Sequence, residues 1–398
     1  MGTGGFSMAR LDRMRDTLAR MVDDGAMPGI VTGLYRHGEL HVDAIGVHDI
    51  GSGAPMRRDT IVRIASMSKP VVAVAALILV EETVLHLDDP VDPWLPELAD
   101  RRVLRSIDAQ LDDTAPAHRP ITLRDLLTHT PGFGMIIAPG GPHPIQTAMT
   151  EAGLDPGPTA PTLSPDEWLR RLGSLPNVAQ PGERWMYHTA YDALGVLVER
   201  AAGVDLETVL RERLFDPLGM TDTGFSVPAD KLDRLATSYQ RDANGDLAVF
   251  DPAAGGRWAT PPVFRSGGTG LVSTVDDYLA FGRMLLGGGK CGDTRILARP
   301  TVELITTDQI TPEQKAASPF APGFWDNLGY GFGVGIATRR DIAATPGAFG
   351  WDGGLGTAWQ TIPGEDLVGV ALTQMMDTGP TPGFRRDFWT LAFAAIDD

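Results

Sequence analysis

The sequence predicts an α+β protein, with one antiparallel sheet built from both ends of the chain and a mostly helical domain inserted between them. Two observations predict it. Strand-like segments with hairpin spacing lie near both termini, and helical segments broken by Pro and Gly fill the middle.

Leu11 to Asp24 repeats apolar residues at helical spacing: Leu11, Met14, Leu18, Met21 and Val22. Ile30–Tyr35 and Glu39–Ile45 follow as strands joined through His37-Gly38, a hairpin signal. Pro70 to Val80 is apolar on every side, as expected of a helix buried all round. From about Asp88 to Phe250 the segments Leu123–Leu127, Pro165–Leu175, Ala190–Ala201 and Leu206–Leu214 read as helices. The Pro- and Gly-rich stretch Ala138–Pro161 reads as a long loop. Thr357–Ile362 and Leu367–Leu372 flank Pro363-Gly364-Glu365-Asp366 as a second hairpin, and an amphipathic segment, Phe384–Ile396, closes the chain. On this reading residues 1–88 and 258–398 form the sheet domain, flanked by helices, and residues 89–257 form the inserted helical domain.

Composition narrows the function. The 398 residues carry a formal charge of -17, which repels phosphate backbones and predicts no nucleic-acid partner. The single cysteine, Cys291, rules out an intrachain disulfide and a cysteine-based zinc site; it sits in a Gly-rich turn and reads as an unpaired thiol. His37, His41 and His48 are close in sequence but lack a ligand spacing, so no metal is expected. The longest strongly apolar run, Pro70–Val80, is far short of the ~20 residues that span a bilayer, so no membrane partner is expected. The first ten residues show no basic segment followed by an apolar one, and the expected location is the cytoplasm. No G-x-S-x-G elbow, phosphate loop or dinucleotide fingerprint is present, and no cofactor is expected.

One segment carries nucleophile chemistry. Arg63-Ile64-Ala65-Ser66-Met67-Ser68-Lys69-Pro70 leads directly into the apolar helix. Ser66 and Lys69 are three apart, so they share a helix face about 4.5 Å apart along the axis. A lysine at the start of a buried helix loses proton affinity and becomes able to take the serine proton. The helix N-terminus favours negative charge developing near Ser66, and Pro70 is tolerated in the first turn. The plainer reading is a serine cap beside a snorkelling lysine, since S-x-x-K alone is a weak pattern.

The context is more specific. In order come Glu81-Glu82-Thr83-Val84-Leu85-His86-Leu87-Asp88-Asp89-Pro90-Val91, Ile121-Thr122-Leu123-Arg124-Asp125-Leu126-Leu127-Thr128-His129-Thr130-Pro131-Gly132-Phe133-Gly134, Pro181-Gly182-Glu183-Arg184-Trp185-Met186-Tyr187, Asp216-Pro217-Leu218-Gly219-Met220-Thr221-Asp222-Thr223 and Gly267-Gly268-Thr269-Gly270-Leu271-Val272-Ser273-Thr274. From about Leu11 to the C-terminus this string resembles the serine β-lactamase-like family of class C β-lactamases, D-alanyl-D-alanine carboxypeptidases, family VIII carboxylesterases and related acyltransferases. The resemblance implies a β-lactamase/transpeptidase-like fold and a serine hydrolase. It implies Tyr187, in Tyr187-His188-Thr189, as a second proton-transfer group whose phenolate cationic Lys69 would stabilise. His188, the middle residue of that motif, is left without a role. The third motif matches Trp351-Asp352-Gly353-Gly354, ahead of the strand Thr357–Ile362, and implies an oxyanion hole of the backbone N–H groups of Ser66 and Gly354.

Two departures bear on substrate. Thr189 stands where the β-lactam and peptide enzymes keep Asn, and Trp351 where they place Lys or His to receive a carboxylate. A large ring with one N–H cannot replace a cation there, but it can line an acyl or alcohol pocket, with Thr189, Asp352 and Gly353 beside it. The expected function is therefore a carboxylesterase acting on a small-molecule ester through an acyl-enzyme on Ser66, with transfer to an alcohol as a further outcome. Amide chemistry of the same family stands as an alternative. So does a non-catalytic binding protein on this scaffold, which the intact set Ser66, Lys69 and Tyr187 argues against. The segments Ala138–Pro161 and Ser318–Asn327, placed between motifs, are expected to shape the pocket.

Overall fold

The structure, a computed structural model, describes residues 3–138, 140–376 and 383–398. The first helix, α1 (Met8–Asp23), buries Leu11, Met14 and Leu18, the positions its spacing marks out. Three strands follow: β1 (Gly29–Arg36), β2 (Glu39–Asp49) and the short β3 (Ala54–Pro55). The far end of the chain supplies β4 (Leu328–Tyr330), β5 (Gly335–Ala337), β6 (Phe349–Gly353), β7 (Thr357–Ile362) and β8 (Leu367–Thr373). Together they form one eight-stranded sheet in the order β4-β5-β6-β7-β8-β1-β2-β3, antiparallel throughout. The last strand closes on the first, with Val31 opposite Leu372. This is the α+β, β-lactamase/transpeptidase-like architecture that the terminal hairpins and the motif order predict.

Both sheet faces are buried, and the period-two alternation of the strands separates them. Ile30, Leu34, Leu367 and Ala371 face α1 and the C-terminal helix. Val31, Val368, Val370 and Leu372 face the larger core. At the centre of that core runs α2 (Ser68–Glu81), whose residues Ser68 to Leu79 are all buried. Each Val, Ile or Leu it buries contributes about 1.5–3 kcal/mol, so α2 is held against many neighbours at once. The remaining helices that position the site are α3 (Leu123–Leu127), α4 (Pro144–Glu151), α5 (Pro165–Ser174), α6 (Thr189–Ala202), α7 (Leu206–Leu210), α8 (Val275–Leu286) and the C-terminal α9 (Gly383–Ala394). The core around α2 continues without a break from the sheet residues Val370 and Leu372 to Leu169 on α5 and Leu194 and Leu197 on α6.

Three expectations need correction. Ala138–Pro161 is not all loop, because α4 lies within it; Pro144 opens that helix and the Gln146 side chain accepts from the His143 N–H at 3.0 Å. Flanking Pro and Gly conceal so short a helix. The middle of the chain also carries two small hairpins, Arg102–Leu104 with Thr114–Pro116 and Ser238–Arg241 with Leu247–Asp251. The segment Leu206–Leu214 is not one α-helix, since α7 passes into a wider π-helical turn over Arg211–Phe215. Cys291 lies in a two-stranded turn, Lys290–Cys291 with Thr294–Arg295, and is a free thiol. Among the described residues no helix is long and apolar enough to cross a membrane, and no group of three or more His, Cys, Asp or Glu could hold a metal.

One sheet position ties the fold to the segment before α2. A Cβ on Gly353, at the end of β6, would overlap the Thr357 hydroxyl and the Ile64 carbonyl. Gly353→Ala is therefore expected to cost about 1–3 kcal/mol, as overpacking does. Urea unfolding checks this, and a variant as stable as the parent would show that the two segments are not in contact.

Candidate active site

Ser66 stands in a single 3-10 turn, Ala65–Met67, that runs straight into α2. Ala65 adopts a left-handed φ of 45°, a conformation that a residue with a Cβ rarely takes without support. Support comes from three elements. The Tyr278 hydroxyl of α8 donates to the Met67 carbonyl at 2.7 Å, and the Thr357 hydroxyl of β7 donates to the Ile64 carbonyl at 3.1 Å. The Leu271 N–H donates to Ser68 Oγ at 3.1 Å. Ser66 itself remains partly accessible.

Lys69, one turn on, has no exposed surface. Its Nζ lies 3.0 Å from Ser66 Oγ and donates to the Gly268 carbonyl at 2.6 Å. Burial of the ammonium lowers its pKa to about 7, with the Asp192 carboxylate opposing the shift. Near neutral pH much of Lys69 is therefore a free amine within hydrogen-bond reach of the serine, the arrangement a general base needs.

Tyr187 joins the pair from the loop before α6. Lys69 Nζ sits 4.5 Å from its ring centroid, and the Trp351 indole N–H donates to its hydroxyl at 2.7 Å. Burial pushes the phenol up to about 12, with the Ser66 hydroxyl and the Trp351 N–H pulling the other way. This alters the sequence-based expectation of a phenolate stabilised by cationic Lys69. The amine shares its proton near neutrality, the phenol keeps its own, and Tyr187 is suited to donate rather than to abstract.

The third motif forms β6 and the turn after it. Trp351 is half-buried and packs against Tyr187 and Tyr330, with ring centroids 5.6 and 5.2 Å away. Asp352 is exposed and lies 3.5 Å from Arg385 Nε on α9. Gly353 is buried against Ile64, while Gly354 is exposed and nothing lies within 4 Å of where its Cβ would be. Thr189 is a correction. It is 1% exposed and its hydroxyl is buried without a partner, so it offers a ligand no accessible surface. The segment Ser318–Asn327 does reach the site: Phe320 packs on Tyr187 and Trp185, and Phe324 and Trp325 pack on Trp185, all at ring distances of 5.3–5.6 Å. From Ala138–Pro161, the Pro158 carbonyl accepts from Thr269 Oγ1 at 3.0 Å, beside the turn that faces Lys69.

Several residues near the base were given no role from the sequence. His188, which directly follows Tyr187, has φ +83° and lies buried, its Nε2 3.7 Å from Asp192 Oδ2. Burial holds it well below its ordinary pKa, as does the Lys69 charge. Asp192 is a buried acid in the first turn of α6. His129 has φ +59° and no exposed surface, and its ring lies 5.0 Å from Tyr187. Burial keeps it neutral too. Thus Ala65, His129 and His188, three of the seven non-glycine residues with positive φ among the described residues, surround the serine, lysine and tyrosine. A single sequence shows such strain only indirectly; the one available signal was Asp192 interrupting an apolar helical run.

Comparisons with known proteins identify the family. A sequence model of the family described as Beta-lactamase matches residues 14–393. The chain is 41% identical over 373 residues to an uncharacterized protein of Mycobacterium tuberculosis, covering 92% of this chain and 90% of that one. It is 33% identical over 374 residues to Esterase EstB of Burkholderia gladioli, covering 88% of this chain and 86% of the esterase. A solved structure of EstCE1, described as a hydrolase with promiscuous acyltransferase activity, matches with a TM-score of 0.78 at 27% identity, covering 98% of this chain and 100% of that one. The chain belongs to the beta-lactamase family and is a serine hydrolase.

The buried amine has a measurable effect on stability. Lys69 binds its proton near pH 7 when folded and near 10.5 when unfolded. Across that window the unfolded chain holds the extra proton, so this group's cost is full below it and fades as pH rises. Lys69→Met is expected to be more stable than the parent at pH 7, on the order of 1–3 kcal/mol after the lost bond to Gly268 is counted. The advantage should shrink by pH 10. Urea midpoints at the two pH values check this, and a difference that does not change with pH would contradict a neutral buried amine.

Proposed function

We propose that this member of the beta-lactamase family cleaves small carboxylic esters through an acyl-enzyme on Ser66 and passes the acyl group to water or to an alcohol. The observation that carries the reading is the buried Lys69 Nζ, 3.0 Å from Ser66 Oγ. The neutral amine takes the serine proton as Oγ attacks the ester carbonyl carbon. The oxyanion is met by the backbone N–H groups of Ser66 and Gly354, a pair of fixed donors of the kind that lowers the barrier by several kcal/mol. Collapse of this intermediate breaks the ester C–O bond, and the departing alkoxide takes the Tyr187 proton. Lys69, now an ammonium beside the Tyr187 ring, returns a proton to the phenolate. Water or an alcohol then gives its proton to the same pair and attacks the acyl-serine, which releases an acid or a new ester.

Trp351 supports an ester rather than a β-lactam or peptide substrate. Its indole N–H is already committed to Tyr187, and its ring joins Phe320 and Tyr330 in an aromatic wall where a cation would be needed to receive a carboxylate. Such a wall suits an apolar acyl or alcohol group. The relatives named as an esterase and as a hydrolase with acyltransferase activity support the same reading.

The test compares p-nitrophenyl acetate and butyrate with a chromogenic cephalosporin, in the parent chain and in Ser66→Ala. Ester turnover is expected to dominate and to fall at least a thousandfold in the variant. Cephalosporin turnover well above ester turnover would instead assign amide chemistry.

A further inference from the structure

We infer that Asp192 is a positioning residue for the Lys69 base: its buried carboxylate holds the turn that carries the amine's acceptor and supplies the negative charge that lets the amine keep the serine proton. The inference rests on the Ser66–Lys69 reading above and deepens it.

Asp192 lies in the first turn of α6 and is 3% exposed. One carboxylate oxygen accepts from Ser266 Oγ at 2.5 Å and from the Gly268 N–H at 3.2 Å. Ser266 Oγ in turn accepts from the Thr269 N–H at 3.1 Å. The carboxylate therefore fixes the turn from Ser266 to Thr269 at both ends. The carbonyl of Gly268, in the middle of that turn, takes the 2.6 Å bond from Lys69 Nζ. A displaced carboxylate would move the carbonyl, and the carbonyl would move the amine relative to Ser66.

The charge matters as much as the geometry. Burying an isolated carboxylate costs several kcal/mol, so a buried acid retained in an apolar helix needs a compensating charge. Among the described residues no arginine pairs with Asp192, and the other groups facing Lys69 are uncharged near neutral pH. His188 and His129 are held well below their ordinary range by burial, the phenol of Tyr187 well above it, and Ser66 is a hydroxyl. Asp192 is thus the group whose field favours the ammonium that forms when Ser66 gives up its proton. Burial raises the pKa of Asp192, while the Ser266 hydroxyl, the Lys69 charge and the Gly268 N–H oppose that shift and favour the carboxylate.

The experiment uses the full chain with Asp192→Asn, which keeps an acceptor for the Gly268 N–H, and Asp192→Ser, which does not; both remove the charge. The ratio kcat/KM for p-nitrophenyl butyrate is measured from pH 5 to 10, with Tm beside it. Without the carboxylate the amine holds its proton less tightly, so the acid limb should move to lower pH by a unit or more. At pH 5 each variant should keep at least ten times more of its own maximal kcat/KM than the parent keeps, while the maximum itself falls. An acid limb that stays in place, or moves to higher pH, overturns the inference and leaves Asp192 a structural acid. Asp192→Ser, which is smaller, carries the same test if the amide variant does not fold. Turnover that survives in Ser66→Ala would sink the underlying reading instead, and that outcome is separate from the behaviour of the acid limb.

Discussion

Everything at the centre of this protein depends on an amine kept out of water. Lys69 has no exposed surface, and its Nζ is bonded to the serine hydroxyl and to one backbone carbonyl. Hydrophobic burial of α2 makes this possible, since an apolar helix packed on every side carries its first charged residue down with it. The cost of that burial is the source of the chemistry. A lysine in water at neutral pH is an ammonium and cannot accept a proton, whereas this one shares its proton near neutrality.

The rest of the structure holds other groups in register with that amine. β7 and α8 grip the turn on either side of Ser66 through side-chain hydroxyls. The end of β6 presses Gly353 against Ile64, which places the following residue, Gly354, in the exposed turn between β6 and β7. Tyr187 is fixed from one side by the Trp351 indole and from another by the ring of His129. These elements come from widely separated parts of the sequence, and the terminal strands meet in one sheet to bring them together.

Much of the fold was legible because it follows from periodicity. The apolar stripe of α1, the two terminal hairpins and the all-round apolar α2 depend only on which residues seek burial. The short elements were harder to read: α4 and the two small hairpins have too few residues for a period to register against their Pro and Gly neighbours. At the site, the residues of the three motifs were found, but their electrostatics were only half readable. Spacing puts Ser66 and Lys69 on one face, yet nothing in a linear sequence says that Tyr187 is as buried as it is, and burial is what keeps its proton on. Asp192, His188 and His129 escaped for the same reason, because their proximity to Lys69 is a product of tertiary packing. Thr189 shows the opposite error, a motif position expected to face a ligand that is enclosed by protein.

The unbroken core around α2 also constrains how the molecule can move. Because α2 packs at once on the sheet through Val370 and Leu372 and on the helical layer through Leu194 and Leu197, it works as a shared axle rather than a hinge. A clamshell opening between the two layers would have to pull apart the helix that bears the nucleophile. The reacting groups thus share one frame, and the aromatic stretch from Ser318 to Asn327, which packs on Trp185 and Tyr187, is carried outside it.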